Sequence, residues 1–257
     1  MVAHGRDDRI ALTIIAEQDN VDVVELLLAH VPEKQVMAQS RTGCTALMIA
    51  TERGKVDFVK LLLTHVPEKQ VMAENRDGCT ALMIAAERGY VDVVKLLLTH
   101  VPEKQVMAEN RDMGTALMMA AERGYVDVVK LLLAHVPEKQ VMAENRDMGT
   151  ALMIAAERGY VDIVELLLAH VPEKQLVAEC CRSGFSALAY AVIGHRQRNT
   201  RNTRKCIDAL LAHGSPLPMH AVVLRDLQPI IMGYAQTERV PDQLNQAIAH
   251  VLTVNSN

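Results

Sequence analysis

Hydrophobic and polar positions follow one another along this chain in a pattern that repeats. Residues 80–98 read TALMIAAERGYVDVVKLLL, and closely similar stretches begin at Thr45, Thr115 and Thr150, so that neighbouring copies start 35 residues apart. A fixed period of roughly 20 to 50 residues is typical of repeat arrays, in which each repeat packs only on its neighbours. The chain is therefore read first as a series of copies.

Each copy holds two apolar segments separated by a charged pair and a glycine. The second segment, 91–98, is apolar on more than one face, whereas an isolated surface helix shows a single apolar stripe. Such a helix suits a place between its own partner and the next repeat, with axes about 8–10 Å apart. The pattern predicts an all-α solenoid of stacked helix-turn-helix repeats joined by short turns or hairpins, with a period of 35 residues.

Local signals mark where each predicted helix begins and ends. Thr80 is expected to cap the first helix, because a Thr hydroxyl accepts a hydrogen bond from a free N–H of the first turn. Gly89 falls at the end of that helix, where a positive φ is useful. Asp92 opens the second helix and lies three positions before Lys95, which predicts a weak ion pair, and Leu97 is expected in the core.

The copies also predict how the chain is organised. Residues 1–39 form a less regular first repeat that is expected to cap one end, and residues 40–179 hold four near-identical repeats, called repeats 2 to 5. Residues 180–214 form a degenerate repeat 6 with a basic insertion at 194–205. Residues 215–257 contain two apolar-patterned stretches, each with Pro near its start, and are predicted to form a helical C-terminal cap.

A connector with one proline follows the second helix of each repeat, and from His100 it reads HVPEKQVMA. Pro suits the first position of a helix, so Pro-Glu-Lys-Gln is predicted to open a short helical turn, followed by Val-Met-Ala in extended form. The histidine recurs once per repeat. It is expected to bond to the last carbonyls of the second helix and not to hold a metal, since repeats one period apart are too distant to share an ion.

Several of these positions resemble the ankyrin repeat, a unit of about 33 residues with two antiparallel helices and a hairpin-like turn. The TALMIAA run from Thr80 stands where that family has Thr-Pro-Leu-His-x-Ala. Gly78 matches its turn glycine, Gly89 its inter-helix glycine, and residues 93–98 its Val-Val and Leu-Leu positions. The resemblance covers about 10–214, and the Thr-Ala-Leu-Met variant is similar to the large ankyrin families of certain parasitic protists.

The chain departs from that family at identifiable positions. Ala and Met replace the Pro and His of the signature, and the connector is two residues longer. In repeats 4 and 5, Met113 and Met148 stand at the turn-glycine position. Since a Met with positive φ is strained, we expect Gly114 and Gly149 to adopt the left-handed conformation one residue later.

The resemblance implies a non-catalytic scaffold or adaptor that binds other proteins through a concave groove of turns and first helices. Two interpretations of the charged groove positions stay open, contact with a partner or pairing between repeats with little stabilisation. The near-identity of the copies has two explanations that also stay open, an extended or repetitive partner or recent duplication with no tuned groove. The implied partner-binding residues are Glu52, Arg53, Arg76, Asp77, Glu87, Arg88, Arg111, Asp112, Glu122, Arg123, Arg146, Asp147, Glu157 and Arg158.

The composition of the chain limits the partners and the cellular location that can be expected. The net charge of −4 does not favour binding to nucleic acid or to an acidic membrane, and no apolar run reaches the length of a membrane span. The N-terminus lacks a signal-peptide pattern, and the five cysteines include no CxxC. We expect free thiols, a cytoplasmic location and a monomer. The low aromatic content predicts a core of aliphatic side chains and Met.

The sequence contains no phosphate-binding glycine loop, metal-ligand cluster or nucleophile–base motif, so no enzyme activity and no cofactor are predicted. An alternative, by analogy with the family alone, is a regulatory or targeting arm of an ankyrin-linked enzyme such as a kinase. The basic insertion is predicted to be a solvated, mobile loop. The competing hypothesis is phosphate or nucleic-acid binding through Arg196, Arg198, Arg201, Arg204 and Lys205. The lack of aromatic residues there disfavours nucleic acid.

Overall fold

The computed structural model describes residues 25, 30, 38–65, 71–100, 106–135, 137–147, 149–170, 185–198, 200–215, 226–227 and 229. The chain divides into two compact parts, Met1–Val136 and Pro137–Asn257. Every bounded element within the described residues is a helix. The caps predicted for 1–39 and 215–257 lie largely outside this set.

The described residues of the N-terminal part include three helix pairs, one from each of repeats 2, 3 and 4. Within a pair the two helices pack on each other, first helices pack on first helices of the next repeat, and second helices pack on second helices. This is the arrangement that two apolar faces predict. The pairs are α1 (Ala46–Glu52) and α2 (Val56–His65), α3 (Ala81–Arg88) and α4 (Val91–Leu98), and α5 (Ala116–Arg123) and α6 (Val126–Leu133).

The C-terminal part follows the same plan with repeats 5 and 6. It begins with a short helix, α7 (Pro137–Met142). The first helices α8 (Ala151–Arg158) and α10 (Ala187–Arg198) pack together, as do the second helices α9 (Val161–Leu168) and α11 (Arg201–Ala212). The predicted all-α stack of helix-turn-helix repeats is confirmed within each part.

The predicted helix ends are confirmed in repeat 3. The Thr80 hydroxyl accepts a hydrogen bond from the backbone N–H of Met83 (3.4 Å), and Gly89 is left-handed with φ 75°. Thr45, Thr115 and Thr150 cap their helices in the same way. Each of repeats 2 to 5 therefore begins its first helix with a buried Thr, and the side chain is satisfied by the helix that it caps.

The core consists of Leu, Val and Ala from both helices, with a buried Met at the same position in each of repeats 2 to 5. Leu97 is fully buried, and Met83 is 1% exposed on the inner face of α3. The outer face of α4 carries the predicted ion pair, with Lys95 Nζ 3.3 Å from Asp92 Oδ1. The burial of this Met agrees with the predicted core of aliphatic side chains and Met.

The connectors are helical further along than predicted. Pro137 opens α7 as expected, but Val141 and Met142 still belong to that helix, and Val71 and Val106 are helical in the earlier connectors. The expectation that Val-Met-Ala is extended is therefore wrong for Val and Met. The reason is burial: Val71, Val106 and Val141 are at most 3% exposed, and the helical turn directs them into the core.

The recurring histidines bond to the ends of the second helices, as predicted. His100 Nδ1 lies 3.0 Å from the Leu96 carbonyl oxygen and 2.8 Å from the Thr99 hydroxyl, which itself donates to Leu96 O. Because a carbonyl oxygen only accepts, this contact is a hydrogen bond in the tautomer that carries the proton on Nδ1. His65 and His170 make the equivalent bond to Leu61 O and Leu166 O.

The inter-helix glycines lie against a ring from the following repeat. A methyl group placed on Gly54 would come within 3.0 Å of the Tyr90 ring, and one on Gly89 within 2.6 Å of the Tyr125 ring. In repeat 6, Thr203 fills this place beside Gly159. Absence of a side chain at these glycines thus serves the packing between repeats as well as the left-handed backbone.

Candidate protein-binding surface

An asparagine side chain builds the turn that precedes the first helix in repeats 3 to 5. In repeat 3, Asn75 Oδ1 accepts hydrogen bonds from the N–H groups of Asp77 and Cys79, both at 2.9 Å. Asn110 and Asn145 hold the turns of repeats 4 and 5 in the same way. An Asx turn of this kind fixes the backbone between the asparagine and the helix. In these three repeats it therefore presents the exposed Arg–Asp pair of the turn in one geometry.

Backbone hydrogen bonds join successive turns in the N-terminal part. The N–H of Arg76 donates to Thr42 O, and the N–H of Arg111 donates to Asp77 O, both at 3.0 Å. A side chain on Gly78 would lie 2.9 Å from the Arg111 nitrogen. Glycine at this position hence allows the close approach of the next turn as well as a φ of 76°.

Met113 adopts the left-handed conformation itself, with φ 58°, and neither Gly114 nor Gly149 has a positive φ. The predicted remodelling of this turn is wrong. The Met113 N–H donates to Asn110 O at 2.9 Å, as Gly78 does to Asn75 O, so the asparagine-anchored turn keeps its shape and the side chain must conform. A left-handed backbone costs a non-glycine residue about 1–2 kcal/mol. Met148 lies outside the described residues.

The charged ends of the first helices form a ladder between repeats. Arg88 Nη2 lies 2.8 Å from Glu52 Oε1, and Arg123 Nη2 lies 2.6 Å from Glu87 Oε1. The hydrogen bond and charge of Glu87 raise the pKa of Arg123. All four side chains remain about half exposed, so each pair contributes at most about 1 kcal/mol. The Glu and Arg side chains therefore pair between repeats, and the solvent-facing side of each ion pair stays accessible.

Three half-exposed apolar side chains lie on the same helix face as this ladder. Ile49, Ile84 and Met119 each stand three positions before the glutamate of their helix. Residues three and four apart share a helix face, so the sequence carried this signal. The fourteen charged residues predicted to bind a partner do not include these three.

The surface defined here, called the turn–helix surface, joins the turn tips and first-helix ends of repeats 2 to 4. Direct contacts between neighbouring repeats bring these positions together in the N-terminal part. Arg146, Asp147, Glu157 and Arg158 occupy the equivalent positions of repeat 5 in the C-terminal part. All fourteen predicted binding residues are exposed or half-exposed.

A family model for ankyrin repeats matches three segments of the chain, residues 2–74, 66–145 and 138–220. The chain belongs to the ankyrin-repeat family. The crystal structure of an ankyrin repeat domain from Acinetobacter baumannii AYE is similar to it, with a TM-score of 0.66 and 28% sequence identity over 80% of this chain and 98% of that one. No curated protein matches the sequence. Ankyrin repeats are generally protein–protein interaction modules.

The sixth ankyrin repeat does not contain the predicted mobile loop. The insertion lengthens both helices, because α10 and α11 have 12 residues where α8 and α9 have 8. Thr200 caps α11 through the Thr203 N–H at 3.2 Å, and Thr203 Oγ1 lies 2.8 Å from His195 Nδ1. Only residues 199 and 200 separate the two helices in the sequence. The Thr200 cap and the contact between Thr203 and His195 stabilise the helices, which explains why a polar sequence is helical here.

Acceptors within the chain hold three of the five cations of the insertion. Arg198 donates to the Glu157 carbonyl at the end of α8 (2.6 Å), and Arg196 pairs with Asp226 at 3.3 Å. Arg204 pairs with Asp208 at 3.2 Å, while burial raises the pKa of that carboxyl. Arg201 and Lys205 are exposed on α11. The five side chains thus divide between α10 and α11, and acceptors of this chain hold three of them.

Other chemistry finds no support in the part of the chain that the structure describes. That part contains no group of three or more His, Cys, Asp or Glu residues able to hold a metal ion, and no helix with the length and hydropathy of a membrane span. Cys44, Cys79 and Cys206 are free thiols. Burial raises the pKa of Cys206 to about 12, so this thiol stays protonated and inert. Cys180 and Cys181 lie outside the described residues.

Proposed function

We propose that this ankyrin-repeat chain is a non-catalytic scaffold or adaptor that binds other proteins through its turn–helix surface. One observation carries the proposal. Turn tips and first-helix ends of three consecutive repeats are fixed to one another by backbone bonds and ion pairs while their side chains stay accessible. A surface ordered before binding loses little conformational entropy when a partner arrives.

The chemistry of that surface favours an extended partner. The same charged and apolar positions recur from repeat to repeat, so a segment that crosses several repeats meets similar groups at each step. Ile84, with Arg88 and Glu87 beside it, offers one apolar contact and both signs of charge in repeat 3. Side chains at the rim of such a contact set specificity and association rate more than affinity.

The proposal is tested by affinity capture with a groove variant, in which Glu87, Arg88, Glu122 and Arg123 are changed to Ala. We expect this variant to lose the proteins that wild type retains, while its unfolding midpoint changes little, because the pairs are exposed. Captured proteins are identified by mass spectrometry and their affinities measured with purified components.

A matched control removes the same numbers of acids and bases from the outer helices. Asp92, Lys95, Asp127 and Lys130 form two exposed ion pairs on α4 and α6, at 3.3 and 3.5 Å. Changing these four residues to Ala leaves the net charge as it is in the groove variant. Retained binding in the control and lost binding in the groove variant support the proposal. Identical partner sets for wild type and groove variant contradict it.

We also propose a reducing, cytoplasmic setting, in which Cys44 and Cys79 act as free thiols. Burial raises the pKa of Cys79, which favours the protonated thiol over the reactive thiolate. No observation favours the alternative role as an arm of a kinase-like enzyme. Division of the basic insertion among internal acceptors likewise lends no support to an anion-binding role.

A further inference from the structure

We propose that Thr200 is a phosphorylation site, and that a phosphate on its hydroxyl group stabilises α11 in repeat 6. The chain repeats one tripeptide at this place, since residues 198–200 and 201–203 both read Arg-Asn-Thr. Sequence alone therefore offers two hydroxyl groups in nearly the same basic context. The structure separates them, because it leaves Thr200 exposed and buries Thr203.

The Thr203 hydroxyl is inaccessible to an enzyme in the folded chain. The side chain is fully buried, and its Oγ1 donates to the Thr200 carbonyl oxygen at 2.9 Å and lies 2.8 Å from His195 Nδ1. The methyl end of Thr203 packs beside Gly159 of repeat 5, where a methyl group on the glycine would come within 2.7 Å of it. Thr203 can therefore receive a phosphate only after α11 opens locally.

Thr200, in contrast, presents its hydroxyl group to solvent from an extended backbone. Its φ is −98° and its ψ is 157°, and it lies in the two-residue connection between α10 and α11. The other threonines that cap described helices are at most 3% exposed, and these are Thr45, Thr80, Thr115 and Thr150. A protein kinase needs the access that Thr200 gives, because its catalytic base must reach the hydroxyl proton.

The charges that follow Thr200 are the reverse of those in the other second helices. The first turns of α2, α4, α6 and α9 each carry an aspartate, whereas the first turn of α11 carries no acidic residue. The first five residues of α11 include Arg201, Arg204 and Lys205 instead. Cations at the start of a helix oppose its dipole, and like charges three or four residues apart repel each other. A phosphate on Thr200 would supply a charge of about −1.5 to −2 where the equivalent helices have an aspartate.

Basic residues before Thr200 indicate the class of enzyme. Arg198 and Arg196 precede it by two and four residues, and both stay exposed although they pair within the chain. Protein kinases discriminate between substrates by such charge patterns, so an arginine-directed serine/threonine kinase is expected. The Thr200 oxygen forms a bond to the γ-phosphorus of ATP, the bond from that phosphorus to the β–γ bridging oxygen breaks, and ADP leaves. The hydroxyl proton passes to the catalytic base of the kinase.

The phosphate is expected to strengthen the cap of α11. Thr200 Oγ1 now accepts a hydrogen bond from the Thr203 N–H at 3.2 Å. Charged phosphate oxygens are stronger acceptors than a hydroxyl group, so this N–H and the neighbouring Arg201 would gain charge-assisted hydrogen bonds. Because α11 packs on α9 of repeat 5, a firmer start of α11 stabilises repeat 6 against unfolding. The proposal thus concerns regulation of the array and does not depend on where a partner binds.

The first measurement compares the two threonines in the folded chain and in a peptide. The full-length protein and a synthetic peptide of residues 194–208 are each incubated with ATP and a purified arginine-directed kinase, and phosphate is located by mass spectrometry. We expect the ratio of the Thr200 rate to the Thr203 rate to be at least about tenfold higher in the folded chain, because only Thr203 requires local opening. Thr200→Ala should remove most of the phosphate from the folded chain. An unchanged ratio, or a folded chain without phosphate on Thr200, overturns the proposal.

The second measurement tests the effect of the phosphate on stability. Urea unfolding followed by circular dichroism is expected to give a higher midpoint for the chain phosphorylated on Thr200 than for the unmodified chain. A variant with Arg201→Gln and Lys205→Gln is the control, since it removes exposed cations at the start of α11. Phosphate should raise the midpoint of this variant less. A midpoint that phosphate lowers or leaves unchanged in the wild-type chain overturns the stabilising role.

Discussion

Thr51 places a hydroxyl where the neighbouring repeats have a methyl group. Its side chain is fully buried near the end of α1, and its Oγ1 has no hydrogen-bond partner among the described residues. The equivalent residues Ala86, Ala121 and Ala156 are also fully buried. A buried polar group without a partner costs about 1–3 kcal/mol. Because the repeats are so alike, each copy is a control for the others, and this position identifies a local defect of repeat 2.

Thr51→Ala is expected to raise the free energy of unfolding by about 1 kcal/mol, since it removes the unsatisfied hydroxyl and improves helix propensity. Urea unfolding followed by circular dichroism gives the change. The reverse exchange in repeat 3, Ala86→Thr, should lower stability by a similar amount. A Thr51→Ala protein that unfolds at lower urea than wild type would contradict this account of the site.

At the scale of elements, α10 shows that a packed neighbouring helix can require a residue type that helices otherwise disfavour. Gly194 is buried within this helix, and a methyl group built on it would fall on the carbonyl of Glu157 at the end of α8. Gly194 and Ile193 stand where repeats 2 to 5 carry Arg and Glu, so the charged ladder has no counterpart on α10. Close contact between the two helices requires a residue without a side chain.

Gly194→Ala is expected to destabilise the protein, although the same change inside an ordinary helix stabilises by about 1 kcal/mol. The sign reverses because the added methyl group meets backbone, which cannot move aside as a side chain can. Gln197→Ala, at an exposed position of the same helix, is the control and should change the urea midpoint little. A stabilised Gly194→Ala protein would show that α10 does not pack on α8 as described.

The regular elements were predictable because their signals are local and occur four times. Thr80, Gly89 and the Asp92–Lys95 pair all behave as sequence predicts. The insertion was misread because its polar residues lack an apolar period, and its helices depend on contacts that sequence does not display. One such contact is Arg198 with the α8 carbonyl, and another is His195 with Thr203.

The candidate site was predictable only in part, for a related reason. Exposed charges at fixed helix positions could be identified from the pattern alone. The pairing of these charges could not be predicted, because the sequence does not show which side chains reach across repeats, as Arg123 does to Glu87. The prediction that Gly114 replaces Met113 in the left-handed conformation is wrong because it considers backbone strain alone. The hydrogen bonds of Asn110 hold the turn in shape whatever residue occupies its tip.

At the scale of the whole molecule, the repeats are interchangeable at their junctions. The turn of repeat 3 bonds to Thr42 O through Arg76, and that of repeat 4 bonds to Asp77 O through Arg111, both at 3.0 Å. Rings of repeats 3 and 4 lie against equivalent glycines. In such arrays stability is roughly a sum of terms within repeats and between neighbours. One repeat can then be removed without loss of any type of contact.

Deletion of residues 75–109, the whole of repeat 3, is expected to give a folded protein with the same helical signal per residue and a lower urea midpoint. Arg111 would then bond to Thr42 O as Arg76 does now. The control, deletion of 75–90, removes α3 but leaves α4 without its partner and should unfold this region. Loss of helical signal per residue in the 75–109 deletion would contradict the modular description.

The tyrosines that cover the inter-helix glycines give this protein a set of built-in optical reporters. The chain has five Tyr and no Trp, so tyrosine emission is not masked by indole. Tyr90 lies on Gly54 and Tyr125 on Gly89, each across a single boundary between repeats. When that boundary opens, the ring passes from backbone contact into water and its emission changes. A variant that retains one of these rings alone would report the opening of one chosen boundary, without any attached dye.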